Sequence, residues 1–249
     1  MRTRTWPKDL RVKIIHLLPN LVTLTSICAG LTAIRFGYVG EYEKAVQLIL
    51  LACVLDGLDG RLARLLKCPS LLGAELDSLA DFLNFGVAPV LIIYNWGGSQ
   101  GSSIAWIAVL AYTVCCALRL ARFNVDSQRG GHVPSDRFVG VPSPAGAVLV
   151  MLPMYVSFLF YDAPLPPPGL TALYMGAVGL LMISRVPTYT FKNISIDMAN
   201  AKFVLLGAVL LAAALLIYLW ATLVILTITY GVSVAWAFQS AVLFPKIEK

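Results

Sequence analysis

The chain has 249 residues, of which 59% are hydrophobic and only 13% are charged, and its mean hydropathy is +0.80. Soluble domains carry about 25% charged residues, so this composition excludes a soluble fold. The net charge of +6 does not indicate a nucleic-acid partner, because the basic residues flank apolar segments. It favours anionic lipid headgroups instead, and we predict one membrane domain over residues 1–249.

Eight apolar segments follow one another along the chain, each near the length of about 20 residues that crosses a bilayer core. We therefore predict an all-α integral membrane protein with about eight transmembrane helices. Their expected ranges are 18–37, 42–66, 70–96, 103–123, 142–161, 168–185, 201–219 and 222–243. Glycine- and proline-rich stretches separate several of these segments, as is typical of helix ends.

The basic residues predict the orientation. With the N-terminus in the cytoplasm, 17 of the 19 Lys and Arg residues lie on the inner side, and only Arg35 and Lys44 lie outside. This asymmetry follows the positive-inside rule and places both termini in the cytoplasm. Segment 1–17 is itself basic, and two interpretations stay open for it: a short interfacial helix or a simple charged anchor.

Four aspartates lie within the second and third apolar segments, where a carboxylate is costly and usually marks a function. Asp56 and Asp59 are three residues apart, and Asp77 and Asp81 are four apart, so each pair shares a helix face. A short turn makes the two helices an antiparallel hairpin over 42–96, and equal distances from that turn bring the four carboxylates together. We predict a divalent metal site for Mg²⁺ or Mn²⁺, with Ca²⁺ as a further option, and two ions would suit a phosphoryl-type displacement.

Small residues accompany these aspartates. Gly57, Gly60 and Gly73 leave room for a pyrophosphate or nucleotide to approach the backbone, although glycines also serve tight packing of membrane helices. Arg64 lies one turn beyond Gly60, where it can hold a phosphate or act as a cytoplasmic anchor.

Two arginines near the end of the fourth segment are candidates for binding an acceptor substrate. Arg119 and Arg122 are three residues apart, so they share a face, and a guanidinium can bind a carboxylate or phosphate through two hydrogen bonds. The alternative interpretation is a role as positive-inside anchors.

The aspartates and their neighbours match the signature D-x2-D-G-x2-A-R-x8-G-x3-D-x3-D. The matching residues are Asp56, Asp59, Gly60, Ala63, Arg64, Gly73, Asp77 and Asp81. In these eight positions the chain resembles the CDP-alcohol phosphatidyltransferase family. The resemblance implies a metal-dependent transfer that releases CMP. It makes Asp56, Asp59 and Asp77 metal ligands, and Asp81 both a metal contact and the general base. It also implies that Gly60, Ala63 and Arg64 contact the CDP group.

Further motifs resemble the bacterial and archaeal branch of the family that uses serine as the acceptor. They are LPNLVTL at 18–24, ELDSLADFLNFGVAP at 75–89, RLARFNV at 119–125 and FVGVPSPAGA at 138–147. This resemblance implies that CDP-diacylglycerol and serine are the substrates, that phosphatidylserine and CMP are the products, and that the chain forms a homodimer in the cytoplasmic membrane. Asn84 departs from the serine expected at its position, and we keep it as a candidate for acceptor binding because it offers a donor and an acceptor.

Three alternatives stay open. Within the family, the acceptor could be glycerol 3-phosphate or an inositol phosphate, and Arg119 and Arg122 are compatible with either. A membrane prenyltransferase also binds Mg²⁺-pyrophosphate, but it needs two separate aspartate motifs and this chain has one. A cation transporter would use the carboxylates as its ion site, yet it would not require Gly60, Ala63 and Arg64 at these spacings.

Overall fold

A computed structural model describes residues 17–66, 70–98, 101–128, 137–160, 165–184, 187–189 and 198–243. Helices dominate these residues. In chain order they are α1 (Leu18–Val39), α2 (Tyr42–Leu65), α3 (Leu71–Asp81), a π-helical segment (Phe82–Val87), α4 (Ala88–Trp96), α5 (Ser103–Gln128), α6 (Ser143–Val150), α7 (Leu152–Leu159), α8 (Pro168–Ile183), α9 (Met198–Ile217) and α10 (Leu219–Leu243). The all-helical class predicted from the sequence is confirmed.

Four stretches of the described chain are long and apolar enough to cross a membrane. They are Leu18–Val39, Leu71–Trp96, Ser103–Asp126 and Leu219–Gln239. Shorter apolar helices run over Pro168–Ile183 and Val204–Ile217. The chain is thus a helical membrane protein with four candidate spans, and the eight predicted spans stay a prediction. Helix α2 has a membrane-spanning length, but its charged residues set it apart from the four apolar spans.

The α1–α2 pair forms one side of the molecule. Helix α1 ends at Val39, and the φ of 88° at Gly40 turns the chain so that the N–H of Glu41 bonds to the carbonyl of Phe36 at 2.9 Å. Ala33 on α1 and Ala45 and Ala52 on α2 are fully buried. Small residues of this kind let membrane helices approach closely, so the pair holds the start of α1 against the end of α2.

The continuous rod from α3 through the π-helical segment to α4 packs between α1 and α5. The largest fully buried side chains of the core lie on α2, the π-helical segment, α4, α5, α7 and α8 and in the link between α6 and α7. They include Ile49, Phe85, Ile92, Ile93, Tyr112, Met151, Met154, Tyr155, Met175 and Met182. Many apolar side chains of α9 point outward instead, such as Leu205 and Leu210. The core therefore runs from α2 and α4 through to α5, α7 and α8, while α9 lies at its periphery.

Three features differ from the sequence-based expectation or lie beyond it. The expected helix 142–161 is divided into α6 and α7 at Met151, because Pro153 at the start of α7 cannot donate a backbone hydrogen bond. Two short strands, β1 (Arg137–Val139) and β2 (Pro187–Tyr189), pair antiparallel and join the loop before α6 to the loop after α8. The predicted interfacial segment 1–17 lies almost wholly outside the described residues.

Candidate active site

Three of the four predicted carboxylates meet at one point. Asp56 and Asp59 on α2 and Asp77 on α3 each offer an oxygen, and these oxygens lie within 4.8 Å of one another. Asp59 is the most enclosed, with 4% of its surface exposed. Residues spaced by three on α2 share a face that turns toward α3, as the periodicity predicts.

Asp81 lies one turn further along α3, beside Asp56, and the two carboxyl groups are close enough to share a hydrogen bond. Oδ1 of Asp81 is buried and has no hydrogen-bond partner among the described residues. The structure therefore divides the four aspartates into the cluster of Asp56, Asp59 and Asp77 and the deeper pair of Asp56 and Asp81.

Helix α1 supplies a wall of the site that the sequence analysis did not assign. The Thr23 hydroxyl lies 2.6 Å from Oδ2 of Asp59 and 3.1 Å from the carbonyl of Pro19. Asn20 lies one turn earlier on the same face. The signal was present in the sequence, because Asn20, Thr23 and Ser26 recur every three residues within an otherwise apolar helix.

A cleft of about 170 Å³ opens beside the carboxylates, between α1, α2 and the start of α3. Its walls include three residues predicted to bind CDP, Gly60, Ala63 and Gly73, together with Asp59 and Asp77. Ser70 caps α3 by accepting a hydrogen bond of 2.9 Å from the N–H of Gly73. A Cβ at Gly73 would lie 2.9 Å from both Asn20 Oδ1 and Ser70 Oγ, so a side chain there would have to displace both groups.

Gly57 and Gly60 face open space. A Cβ built on either residue meets no atom of the described chain within 4 Å beyond its own helix. Within one molecule, these glycines therefore do not serve tight helix packing, which was the alternative interpretation for them. Arg64 lies nearby, and its Nε donates to the Gly60 carbonyl at 2.9 Å, so its guanidinium lies along the edge of the cleft.

Arg119 lies on α5, on the other side of Asp81. Its Nη1 donates to Ser143 Oγ at 2.6 Å, and it is close enough to Asp81 for an electrostatic interaction. Its Nε is buried without a hydrogen-bond partner in the described part of the chain. A buried guanidinium with a free donor, next to a carboxyl with a free oxygen, forms a polar pair that a small charged molecule could satisfy.

The other two acceptor-binding candidates occupy different surroundings. Arg122 is exposed, and its Nη1 donates to the carbonyl of Ile183 at 3.2 Å. Asn84 is fully buried in the π-helical segment, where its Nδ2 donates to Ser26 Oγ at 3.3 Å. It packs against Gly30 so closely that a Cβ there would overlap the Asn84 amide. The structure does not bring these two side chains together with Arg119.

The carboxylate cluster fits a divalent cation. Two oxygens on opposite sides of one Mg²⁺ are about 4.2 Å apart, and around Ca²⁺ the distance is about 4.8 Å, so oxygens within 4.8 Å of one another can close on either ion with small movements. Oδ1 of Asp59 is buried without a partner among the described residues, which leaves it available as a ligand. Hard oxygen donors of this kind suit Mg²⁺, Mn²⁺ and Ca²⁺.

Comparison with known proteins agrees with this geometry. The family model for CDP-alcohol phosphatidyltransferase matches residues 16–188, which include every residue of the carboxylate cluster and the cleft. The chain is 40% identical over 225 residues to a Mycobacterium leprae protein named CDP-diacylglycerol–serine O-phosphatidyltransferase, covering 89% of this chain and 75% of that protein.

More distant relatives carry the same name. A Helicobacter pylori protein is 35% identical over 180 residues, covering 72% of this chain and 75% of the relative. A Methanocaldococcus jannaschii protein is 33% identical over 184 residues, covering 73% and 78%. Because the family match spans well over half of the chain and contains the whole carboxylate site, the chain belongs to the CDP-alcohol phosphatidyltransferase family.

Proposed function

We propose that this protein transfers the phosphatidyl group of CDP-diacylglycerol to the hydroxyl of L-serine, forming phosphatidylserine and CMP. The observation that carries the proposal is a three-aspartate cluster with different polar surroundings on two sides. On one side is the glycine-lined cleft, and on the other is the polar pair of Asp81 and Arg119. The names of the relatives from three genera support serine as the acceptor.

The donor site is the cleft. Gly60, Ala63 and Gly73 present little side-chain bulk there, and Gly57 extends the open surface along α2. The guanidinium of Arg64 at the rim is placed to pair with a phosphate. Divalent cations held by Asp56, Asp59 and Asp77, with Asp81 in reach of a second ion, would supply the positive charge that the pyrophosphate requires. Thr23 orients Asp59 for that role.

The acceptor site lies at the polar pair of Asp81 and Arg119. Arg119 would bind the serine carboxylate through its free Nε–H, while Ser143 holds the guanidinium in place. Asp81 would accept the proton of the serine hydroxyl as the new oxygen–phosphorus bond forms and the bond from phosphorus to the CMP oxygen breaks. Asn84 lies one turn beyond Asp81 on the same rod, and we assign it to packing against α1 rather than to direct contact with serine.

The site lies at one end of the bundle. Arg64 ends α2, Arg119 reaches the start of α6, and Arg122 reaches the end of α8. This clustering supports the orientation inferred from the basic residues. In that orientation the site and both termini lie on the cytoplasmic side. The proposal keeps the eight predicted spans. A homodimer is part of the same proposal, on the resemblance alone.

Product analysis tests the function. Purified protein would receive CDP-diacylglycerol and Mn²⁺ or Mg²⁺ with serine, glycerol 3-phosphate or inositol phosphate. We expect stoichiometric CMP and phosphatidylserine with serine only. CMP release with another acceptor would keep the reaction and overturn the acceptor. Saturable ion flux with no CMP release from folded protein would overturn the enzyme and favour a transporter.

A further inference from the structure

The rod that carries Asp77 and Asp81 contains a π-helical turn immediately after Asp81. Residues Phe82–Val87 form this turn, and the N–H of Ala88 bonds to the carbonyl of Leu83, five residues earlier. Such turns are rare and are frequent at functional sites. One residue more or less in a helix rotates everything beyond it by about 100° and shifts it by about 1.5 Å. The turn therefore fixes how the aspartate-bearing half is oriented relative to α4.

The sequence supplies a cause for the turn. Pro89 has no N–H, and in a regular α-helix the missing bond would be the one to the carbonyl of Phe85. A buried carbonyl that loses its partner needs another donor. The Tyr112 hydroxyl on α5 donates to the Phe85 carbonyl at 3.1 Å, and the Thr113 hydroxyl donates to the Gly86 carbonyl, also at 3.1 Å.

Close packing of α5 on the turn makes these bonds possible. A Cβ on Gly86 would lie 3.0 Å from Cys116 Sγ, so the two backbones approach as closely as a glycine allows. Tyr112 is fully buried, and α8 packs on its other side, where a Cβ on Gly179 would lie 3.1 Å from the Tyr112 Cα. The segment of α5 that carries the hydroxyl is therefore packed between the turn and α8.

The same face of α5 reaches the active site. Tyr112, Cys116 and Arg119 follow a spacing of four and three residues, so all three lie along one side of the helix. The first two contact the π-helical turn, and the third lies near Asp81. The same face of α5 thus contacts the turn and places the Arg119 guanidinium beside Asp81, the carboxyl that directly precedes the turn.

We propose that Tyr112 and Thr113 are positioning residues for the carboxylate site. Their hydroxyls hold the π-helical turn, and the turn sets the angle at which Asp77 and Asp81 meet Asp56 and Asp59. Loss of both bonds leaves the Phe85 and Gly86 carbonyls without these donors, so the turn changes its geometry and turns the α3 carboxylates away from those of α2. The proposal rests on the proposed function only for its kinetic readout, because cation binding reports the same geometry without substrates.

The test uses full-length protein with the near-isosteric changes Tyr112→Phe and Thr113→Val, singly and together. Tyr174→Phe is the matched control, because its hydroxyl also donates to a backbone carbonyl, that of Leu149 at 2.6 Å, away from the site. Mn²⁺ binding would be measured by electron paramagnetic resonance without substrates, alongside kcat, KM and thermal unfolding. We expect the double variant to lose about 10- to 100-fold in Mn²⁺ affinity and in kcat. The control should keep both within about twofold, even if the loss of one hydrogen bond lowers its Tm.

A second variant keeps the proposal testable if the buried changes impair folding. Pro89→Ala restores an N–H that can bond the Phe85 carbonyl and should also weaken Mn²⁺ binding. Adding Tyr112→Phe to it should then have less effect than in the parent protein, since contacting residues are not additive. Unchanged Mn²⁺ affinity and kcat in the double variant, an equal loss in Tyr174→Phe, or full additivity with Pro89→Ala would overturn the proposal. Wild-type protein that binds Mn²⁺ but releases no CMP would reject the proposed function, and the affinities would still decide this inference.

Discussion

The carboxylate hairpin and the core between α5 and α8 use glycine in opposite ways. On α2, a side chain at Gly57 or Gly60 would meet nothing in the described chain beyond its own helix. In the core, a Cβ on Gly179 would lie 3.1 Å from the Tyr112 backbone, and a Cβ on Gly146 would lie 2.6 Å from Met182 Sδ. Gly57 and Gly60 preserve space for a ligand, whereas Gly146 and Gly179 permit close contact between helices.

The two regions also differ in how their polar groups are satisfied. In the core, the Tyr112 and Tyr174 hydroxyls each donate to a backbone carbonyl. Around the hairpin, buried oxygens of Asp59 and Asp81 and the Nε of Arg119 have no partner among the described residues. Hydroxyls of Tyr155, Thr171 and Thr227 elsewhere in the described bundle also have no partner, so the contrast lies in charge. Because a buried charged group without a partner is far more costly than a hydroxyl, the unpaired atoms of Asp59, Asp81 and Arg119 indicate a site that is completed by ligands.

The largest expected effect is at Asp81. Asp81→Asn keeps the size of the side chain but removes its ability to accept a proton. We expect kcat for CMP release to fall about 100- to 10,000-fold, with thermal unfolding little changed. Steady-state kinetics beside a melting curve would check this. An Asn variant that retains most of its activity would show that another group takes the proton.

Substitution of one glycine in each region sharpens the contrast directly. Gly60→Val places a branched side chain in the cleft, so we expect CMP release to fall about tenfold or more because the donor is displaced. Its stability should not decrease, since valine is a better helix former than glycine. Gly179→Val should instead destabilise the fold by about 1–3 kcal/mol through overpacking. Equal losses of stability in the two variants would show that the cleft is not open.

A smaller effect is expected at Thr23. Thr23→Val removes the hydroxyl that lies 2.6 Å from Asp59 Oδ2 but preserves the shape of the side chain. Because this hydroxyl orients a metal-binding carboxylate, we expect the Mn²⁺ concentration needed for half-maximal activity to rise about tenfold. Thr25→Val is the matched control, since its hydroxyl bonds to the Leu21 carbonyl on the exposed side of α1. Similar metal requirements in both variants would argue against this role for Thr23.

The smallest effect is expected on the outer face of α9. Val209 is 57% exposed in the single chain. We expect Val209→Ala to change the free energy of unfolding, and the activation free energy of CMP release, by less than about 0.5 kcal/mol each. Unfolding in detergent micelles and a CMP assay would measure this. A large loss would indicate that another protein surface, such as a second copy of the chain, covers this face.

Much of the site was predictable from the sequence because helix periodicity determines it. The spacings of Asp56, Asp59, Asp77 and Asp81 indicate shared faces and predict one cluster of four. The structure groups three of them, with Asp81 beside Asp56. Thr23 and Asn20 were not assigned to the site, because hydroxyl side chains in an apolar helix often bond to that helix's own carbonyls, as Thr25 and Thr32 do on α1. Only the packing of α1 against α2 reveals that they face the carboxylates.

Other features depend on contacts that no local pattern specifies. The sequence analysis predicts one helix over 70–96 and did not anticipate the π-helical turn, whose contacts come from Tyr112 and Thr113 on α5. The strand pair of β1 and β2 joins two loops, and its paired residues Val139 and Pro187 are 48 residues apart in the chain. Strands of three residues are too short to show an alternating pattern in the sequence.

The most direct test of the central claim joins cation binding to transfer in the same protein. Mn²⁺ binding and serine-dependent CMP release would be measured in the wild type, in Asp59→Asn, and in Asp126→Asn, which changes an exposed carboxylate at the end of α5. We predict that Asp59→Asn loses both Mn²⁺ binding and CMP release while Asp126→Asn keeps both. CMP release that persists in Asp59→Asn, or in the wild type after chelation of all divalent cations, would contradict the account.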